Sequence, residues 1–375
     1  MKNLLMISAS LILAAANSAL AHDGPHDDEG AATEIHLLSN VRYLSAESAW
    51  PSALPVLAAS QEDLRGMRYG GSGLAWQQRW LQDLSSHVVL AYDDHEQGMA
   101  VDHAAFFYHA GATQWTLGRQ SPLLASGGLS TWALPELWLN TVLGDDHWHE
   151  DGLALRYATG AVTGHAGVFR GAGLPGAESA LWSTGLEWQD GPWHISGHAA
   201  YVAEVKRSLA SDAHTGHSHA GQVTGCAQLI DCFAGDTLLM RANARWQGDQ
   251  FWLHGAASWQ KQDGQLESTL AKVNYQGELA GFALEGGVSI NTELSLALRH
   301  EQMAIHHQLS GVNAAQIASK NGIANSNEWP RQTGVRLAWQ AHPAHLLALE
   351  LYQTHRNGES NRMAMLQWQM NAQLY

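Results

Sequence analysis

The chain has 375 residues and a formal net charge of −15, from 20 basic and 35 acidic side chains. This balance argues against nucleic acid as a partner and favours cations. Only 15% of the residues are charged, where about 25% is typical of soluble proteins, and the chain holds 16 Trp and 37 Gly. The composition therefore argues against an ordinary soluble protein.

The first 21 residues have the composition of a secretory signal peptide. A charged start precedes the apolar run LLMISASLILAAA, and the small-residue sequence Ala-Leu-Ala at 19–21 fits a cleavage site. Residues 22–33 are acidic and contain His22 and His26, and we predict a flexible periplasmic tail here. Since no later segment has some eighteen uninterrupted apolar residues, the sequence excludes a transmembrane helix.

Apolar and polar residues alternate along most of the remaining chain, and a long example begins at Trp193. Trp193, Ile195 and Tyr201 fall on one face of this segment, while His194 and His198 fall on the other. Alternation of this length, followed by an elaborate polar loop, is typical of a strand in an outer-membrane β-barrel. Sixteen strands are predicted in this way, at 34–44, 73–83, 85–94, 100–110, 113–120, 152–159, 165–170, 179–189, 193–207, 237–247, 250–260, 278–290, 294–303, 329–341, 344–356 and 363–375.

The strand count depends on the segment 266–276, which also alternates. Counting it as a crossing would place the long loops at 208–236 and 304–328 on opposite sides of the membrane, whereas bacterial barrels have short periplasmic turns and long outer loops. We therefore assign 261–277 to a loop. The predicted fold is an all-β, transmembrane antiparallel barrel of about sixteen strands, within a range of about 14 to 18, that forms one domain over 34–375.

One stretch resembles a known family of proteins. A strand ending in Gly-Arg, a long segment with Ser-Trp and Leu-Pro-Glu patterns, and an Arg- and Tyr-containing strand together resemble the third loop of Gram-negative general porins. The residues that carry the resemblance are Gly118, Arg119, Ser130, Trp132, Leu134, Pro135, Glu136 and Tyr157. The segment also falls between the fifth and sixth predicted strands, as in sixteen-stranded porins, and the terminal aromatic Tyr375 resembles their barrel-assembly signal.

The resemblance implies a location and a set of partners. It implies a cell outer-membrane porin, a homotrimer surrounded by lipid and lipopolysaccharide, through which small hydrophilic solutes or ions diffuse passively. It also implies that the segment 120–151 folds into the lumen as a constriction loop. The alternative from a different class is a closed barrel that acts as a binding or adhesion protein without channel activity.

In a porin constriction, acids on one wall face bases on the other and thereby orient polar solutes. The resemblance makes Glu136 the acid on the infolded loop. The candidate bases are strand arginines assigned to the lumen, because a lipid-facing charge at mid-depth costs roughly 2–4 kcal/mol: Arg42, Arg79, Arg119, Arg156, Arg241 and Arg245. In the competing interpretation, these arginines only hold the wall by pairing with Glu187, Glu204, Glu301 or Glu350.

Histidine is the second chemical signal, since the 22 histidines outnumber lysine and arginine together. Imidazole beside carboxylates suits Zn²⁺ and similar cations. The candidate metal ligands are Asp212, His214, His217 and His219 in the loop 208–236, with His22, His26, His147 and His149 elsewhere. The competing interpretation is that they are solvated polar loop residues. His194, His198 and His254 are predicted to line the pore rather than to bind metal.

The remaining expectations concern the cysteines and catalysis. Cys226 and Cys232 are separated by five residues in an exported chain, and we predict a local disulfide. Neither G-x-S-x-G nor H-E-x-x-H is present, so we predict that the protein is not an enzyme. No cofactor is predicted to be required, although the histidine-rich loops could hold Zn²⁺ or another divalent metal.

Overall fold

The computed structural model of the chain describes residues 32–47, 66–68, 73–93, 98–122, 149–170, 180–208, 232–267, 271–320, 329–356 and 359–374. The predicted signal peptide therefore lies outside the described residues. The strands are β1 (Thr33–Ala46), β2 (Gly66–Arg68), β3 (Gly73–Leu81), β4 (Leu84–Asp93), β5 (Gly98–Ala110), β6 (Thr113–Gln120), β7 (Glu150–Thr159), β8 (Val162–Phe169), β9 (Leu181–Asp190), β10 (Trp193–Ser208), β11 (Cys232–Gln247), β12 (Phe251–Glu267), β13 (Lys272–Ser289), β14 (Leu294–Ser310), β15 (Arg331–His342), β16 (His345–Arg356) and β17 (Glu359–Gln373). Helix α1 (Ala314–Lys320) follows β14.

The sheet closes on itself. From β3 onward each strand pairs antiparallel with the next, and β17 pairs with β1 from His36–Gln373 to Ala46–Met363. Both β2 and β3 pair with β1, β2 opposite 42–44 and β3 opposite 33–38. They therefore occupy one position in the wall, which makes a closed antiparallel barrel of sixteen strand positions and confirms the predicted fold class.

At one end of the barrel every connection between consecutive strands is a turn of two to four residues, whereas the other end also carries all the long connections, such as 121–149 and 209–231. The turns at the first end join β3 to β4, β5 to β6, β7 to β8, β9 to β10, β11 to β12, β13 to β14 and β15 to β16. Both termini of the wall are at this end, where the Leu374 N–H donates to the Ile35 carbonyl at 2.8 Å. Because short turns mark the periplasmic side of bacterial barrels, β10 runs outward from the Asp190–Trp193 turn.

The two faces of the wall differ in chemistry because successive side chains of a strand point to opposite sides. In β14, Leu296 and Leu298 are exposed on the outside, whereas Arg299 and Glu301 are buried on the inside. The pattern repeats in β16 with the exposed Leu351. The outer face is therefore an apolar belt suited to lipid, while charged and polar side chains line the interior.

The structure corrects several predicted loop boundaries. Strand β12 continues to Glu267 and β13 begins at Lys272, so most of the predicted loop 261–277 is strand, although no extra crossing is formed. Strand β14 likewise continues to Ser310, and β11 begins at Cys232. These extensions escaped prediction because their outward positions carry polar residues such as Lys261, and the apolar alternation used to find membrane strands is absent there.

The extended strands are held together by an apolar cluster on their inner face. Phe233, Leu266, Tyr275 and Ile305 are buried in it, and Ile317 of α1 packs against the same cluster. Each Å² of apolar surface that is buried in this cluster stabilises this part of the wall by about 25 cal/mol. Among the described residues, the helical segment is too short and too polar to traverse a lipid bilayer.

Candidate functional site: the inner wall of the barrel

Two of the predicted arginines stand together on the inner face of β11. Arg241 is opposite His198 and Ser258 of the neighbouring strands, and Arg245 is opposite His194 and His254. The Arg241 Nε–H donates to Asn243 Oδ1 at 3.0 Å, and Arg245 Nη2 donates to Gln247 Oε1 at 2.9 Å. The alternation of β11 thus concentrates two guanidinium groups, flanked by imidazoles, on one part of the wall.

Three further predicted arginines also face inward. Arg42 pairs with Gln367 of β17, and Arg156 pairs with Gln114 and His165. Arg79 lies next to the periplasmic turn between β3 and β4. The five inward arginines are therefore spread around the wall rather than gathered at one height.

The prediction that Arg119 faces the lumen is wrong. Its register partners are Ala104 and Asp151, which share the outer face with the exposed Phe106 and Leu153. Arg119 had been assigned to the lumen with the other strand arginines, because an outward charge at mid-depth is costly, whereas the alternation of β6 places it on the outer face. It lies at the extracellular end of the strand opposite Asp151, where the cost of an outward charge is smallest.

Several of the remaining predicted site residues lie outside the described part of the chain. They are Glu136 and His147 in the segment 120–151, Asp212, His214, His217 and His219 in the segment 208–236, and His22 and His26 in the tail. Cys232 is disulfide-bonded and buried at the start of β11. Cys226 is the only other cysteine of the sequence and lies outside the described residues.

A network of buried ion pairs on β14 to β16 was not identified from the sequence. Arg299 Nε contacts Glu301 Oε1, and Arg336 Nε donates to Glu350 Oε1 at 3.1 Å. The Tyr352 hydroxyl donates to Glu350 Oε2 at 2.5 Å. All five side chains are buried. The signal that could have found Arg299 and Arg336 is the alternation used elsewhere, because Arg336 lies between the outward-facing Val335 and Leu337, and Arg299 follows the outward-facing Leu296 and Leu298.

This network is relevant to the competing interpretation, in which the six candidate arginines stabilise the wall by pairing with glutamates. Glu301 and Glu350 do pair with arginines, but these arginines are Arg299 and Arg336, which are not among the six candidates. A buried pair needs further hydrogen bonds to repay the loss of hydration of both charges. Tyr352 supplies one of these to Glu350. The buried charges of the β14–β16 wall are thus paired with one another.

Histidines and carboxylates form a second set of contacts, on β8 to β10. Glu187 Oε1 lies 3.3 Å from His165 Nε2, and its Oε2 lies 3.9 Å from His194 Nε2. The rings of His165 and His198 have centroids 6.3 Å apart. Within the part of the chain that the structure describes, no three or more His, Cys, Asp or Glu side chains are placed to hold a metal ion together.

Comparisons with solved structures agree with this architecture. The trimer form of OmpT, an outer-membrane protein of Vibrio cholerae, has a TM-score of 0.60 at 9% identity, over 92% of this chain and 100% of that one. The anion-selective porin of Comamonas acidovorans gives 0.59 at 10% identity, over 92% and 100%. The outer-membrane channel DcaP of Acinetobacter baumannii gives 0.57 at 10% identity, over 93% and 99%. No protein-family model matches the chain, and no curated protein matches it either.

At these identities the likeness is one of fold. The wall described above and the neighbours together define the class: the chain has the sixteen-stranded antiparallel β-barrel fold of the outer-membrane porins. The resemblance found at residues 118–157 of the sequence pointed to the same fold.

Proposed function

We propose that the barrel is a porin-like channel for passive diffusion of small hydrophilic solutes or ions. The observation that carries the proposal is the inner wall, where charged, amide, hydroxyl and imidazole side chains face inward on successive strands of a closed barrel. A lumen lined in this way offers polar solutes partners that replace part of their hydration. The porin fold of the structural neighbours supports it.

The arrangement of charges on the inner wall favours selectivity between cations and anions. The β14–β16 wall pairs its arginines with glutamates, so its net field is small. On β11, Arg241 and Arg245 stand among Asn243, histidines and Ser258, and acids lie on the strands beyond, with Glu285 opposite His254 and Glu187 3.9 Å from His194. The two guanidinium groups add positive charge to this part of the lumen, so removing them should favour cations.

Further properties belong to the same proposal. A homotrimer in contact with lipid and lipopolysaccharide fits the apolar outer belt, and the OmpT neighbour is described in a trimer form. Preference for divalent metals such as zinc rests on the histidine-rich sequence of the loop 208–236 and on His22, His26, His147 and His149. Passive diffusion requires no cofactor and no catalysis.

The competing proposal is a closed barrel that binds or adheres without conducting. The apolar cluster around Phe233, Tyr275 and Ile317 supports it, because these side chains point inward near the extracellular mouth. Charged side chains line the inner wall closer to the periplasmic end. They favour the channel proposal, because a closed barrel does not require arginines in its lumen. Current through the barrel separates the two proposals.

Removing the charges of the β11 patch should change ion selectivity. The double variant Arg241→Ala/Arg245→Ala is expected to raise the cation-to-anion permeability ratio by about twofold. A unit charge about 10 Å from an ion's path, screened by water and salt, changes the energy of one ion by roughly 0.1 kcal/mol, and the two lost charges act with opposite sign on cations and anions, which together shifts the ratio by about 0.4 kcal/mol. The measurement is the reversal potential across a planar bilayer in a tenfold KCl gradient.

The matched control is Arg362→Ala, which removes one exposed arginine from the outer face of β17. Its reversal potential should equal that of the unmodified protein. An unchanged reversal potential in the double variant would show that the β11 patch does not border the ion path.

A further inference from the structure

Four side chains on three strand positions converge on the inner wall near β5. They are His87 of β4, Asp102 and His103 of β5, and His149 just before β7, and we call them the β5 histidine group. The ring centroids of His87 and His103 are 5.1 Å apart, and those of His103 and His149 are 5.9 Å apart. Asp102 Oδ1 lies 3.4 Å from His149 Nδ1. His103 is thus the central member, with an imidazole on either side.

The register explains why these rings meet. His103 is opposite Val89, and His87 is opposite Ala105, so the two histidines are diagonal neighbours on one face of the β4–β5 pair. The register shifts between Val89 and Leu90, where Asp102 forms an irregularity in β5. Such bulges re-aim side chains, and here one places a carboxylate beside His149.

His103 is an unusual histidine for its degree of burial. Only 8% of the residue is exposed, and neither Nδ1 nor Nε2 has a hydrogen-bond partner among the described residues. Burying a polar group without a hydrogen bond costs free energy. The His103 ring therefore has a lone pair that no hydrogen bond from the described residues engages, between two other imidazoles, and this lone pair can bind a cation. His87 is only partly buried, so a small ion can reach the group past it.

The spacing of the rings fits imidazoles that share one metal ion. A Zn–N bond is about 2.0–2.1 Å, which puts a ring centroid about 3.2 Å from the metal, and two such rings at a tetrahedral angle have centroids about 5 Å apart. The observed separations of 5.1 and 5.9 Å are close to this value. Neutral imidazole is also the common protein ligand of Zn²⁺ and its neighbours in the periodic table.

We propose that His103, together with either His87 or His149, binds a divalent transition-metal cation such as Zn²⁺ at the inner wall. No three of these side chains are placed to hold an ion at once, so each site has two protein ligands and water completes the coordination. Two-ligand binding is weak, and a solute that passes through a channel must bind weakly enough to leave again. In this respect the inference rests on the proposed channel function.

The position of the β5 histidine group means that a bound ion would affect transport through the barrel. Strands β6 and β7 end beside it, where Gln120 pairs with Glu150, and the segment 120–151 begins and ends at these strands. An ion bound at His103 therefore stands at the base of the segment predicted to form the constriction. The members of the β5 histidine group differ from the loop histidines 214, 217 and 219, which the sequence had favoured and which lie outside the described residues.

The test measures Zn²⁺ binding to the full-length barrel in detergent by titration calorimetry with ZnCl₂. The background variant replaces His214, His217 and His219 with Asn, so that the loop does not contribute. Adding His103→Asn is expected to weaken the remaining binding at least about tenfold, because even loss of an outer-shell partner costs about 10–100-fold in metal affinity. His109→Asn is the matched control, since His109 is on the same strand and face but adjacent to the periplasmic turn, and it should have no effect.

The double variant His87→Asn/His149→Asn provides a second test if His103→Asn does not fold, because it leaves His103 without a neighbouring imidazole, and it too is expected to weaken binding. Equal Zn²⁺ affinity in the background protein and in either folded variant, or no binding by the background protein, would overturn the inference. Because calorimetry does not depend on current, its result stands whether or not the barrel conducts. Conversely, steady current without any Zn²⁺ binding would leave the channel proposal intact and remove only the metal site.

Discussion

Replacing Glu350 with Leu is expected to lower the free energy of unfolding of the barrel by about 3–5 kcal/mol. Glu350 is fully buried, accepts a hydrogen bond from Arg336 at 3.1 Å and another from Tyr352 at 2.5 Å. Removing the carboxylate leaves the buried Arg336 guanidinium without this counter-charge and the tyrosine hydroxyl without this acceptor. An uncompensated buried charge is among the largest costs that one substitution can cause.

The measurement is urea-induced unfolding from phospholipid vesicles, followed by tryptophan fluorescence. The double variant Arg336→Met/Glu350→Leu is expected to recover much of the loss, because replacing both partners of a buried pair with apolar groups is often close to neutral. Glu278→Leu controls for loss of an exposed carboxylate, which accepts a hydrogen bond from Trp259 at 2.7 Å. A small effect of Glu350→Leu, similar to that of Glu278→Leu, would contradict a stabilising role for the network.

Placing a charge on the outer belt should cost nearly as much as breaking the internal network. Leu351 is 52% exposed on the outer face near the middle of β16. Leu351→Arg is expected to destabilise the membrane-inserted barrel by about 2–4 kcal/mol, the cost of a basic side chain at the bilayer midplane. The same vesicle unfolding experiment measures it.

The depth dependence supplies the control for this substitution. Leu374 is equally apolar and exposed, but it lies at the periplasmic end of the wall beside Ile35. Leu374→Arg should cost only about 0–1 kcal/mol, because the penalty falls toward the membrane surface. Equal costs at the two positions would show that the outer face is not immersed in lipid in the way that the exposed leucines indicate.

The sequence was sufficient for the architecture because a barrel wall has a simple repeat. Alternation identified all sixteen strand positions and placed Arg241 and Arg245 on the inner face of β11. It failed where lipid no longer constrains the outer face, as in the extension of β12 to Glu267. Arg119 was assigned to the lumen with the other strand arginines although it alternates in phase with Trp115 and Leu117, which are exposed on the outer face, and the register contradicts the assignment.

Side-chain contacts between different strands could not be predicted from the sequence, for a different reason. The pairing of Arg336 with Glu350 depends on the register of β15 and β16, which alternation does not determine. The approach of His149 to His103 depends on two further registers, since β6 lies between their strands, and on the irregularity at Asp102. The sequence pattern predicted that His149 is a metal ligand in a loop, but it could not predict which residues of the wall lie next to His149.

Single-channel recording in a planar lipid bilayer tests directly whether the barrel conducts ions. With the purified full-length protein in symmetric KCl, we expect stepwise increases of current that persist and that scale with salt concentration, because ions cross a water-filled lumen lined by charged side chains. Incorporation of folded barrels without any steady current steps would contradict the channel and favour a closed barrel that binds without conducting.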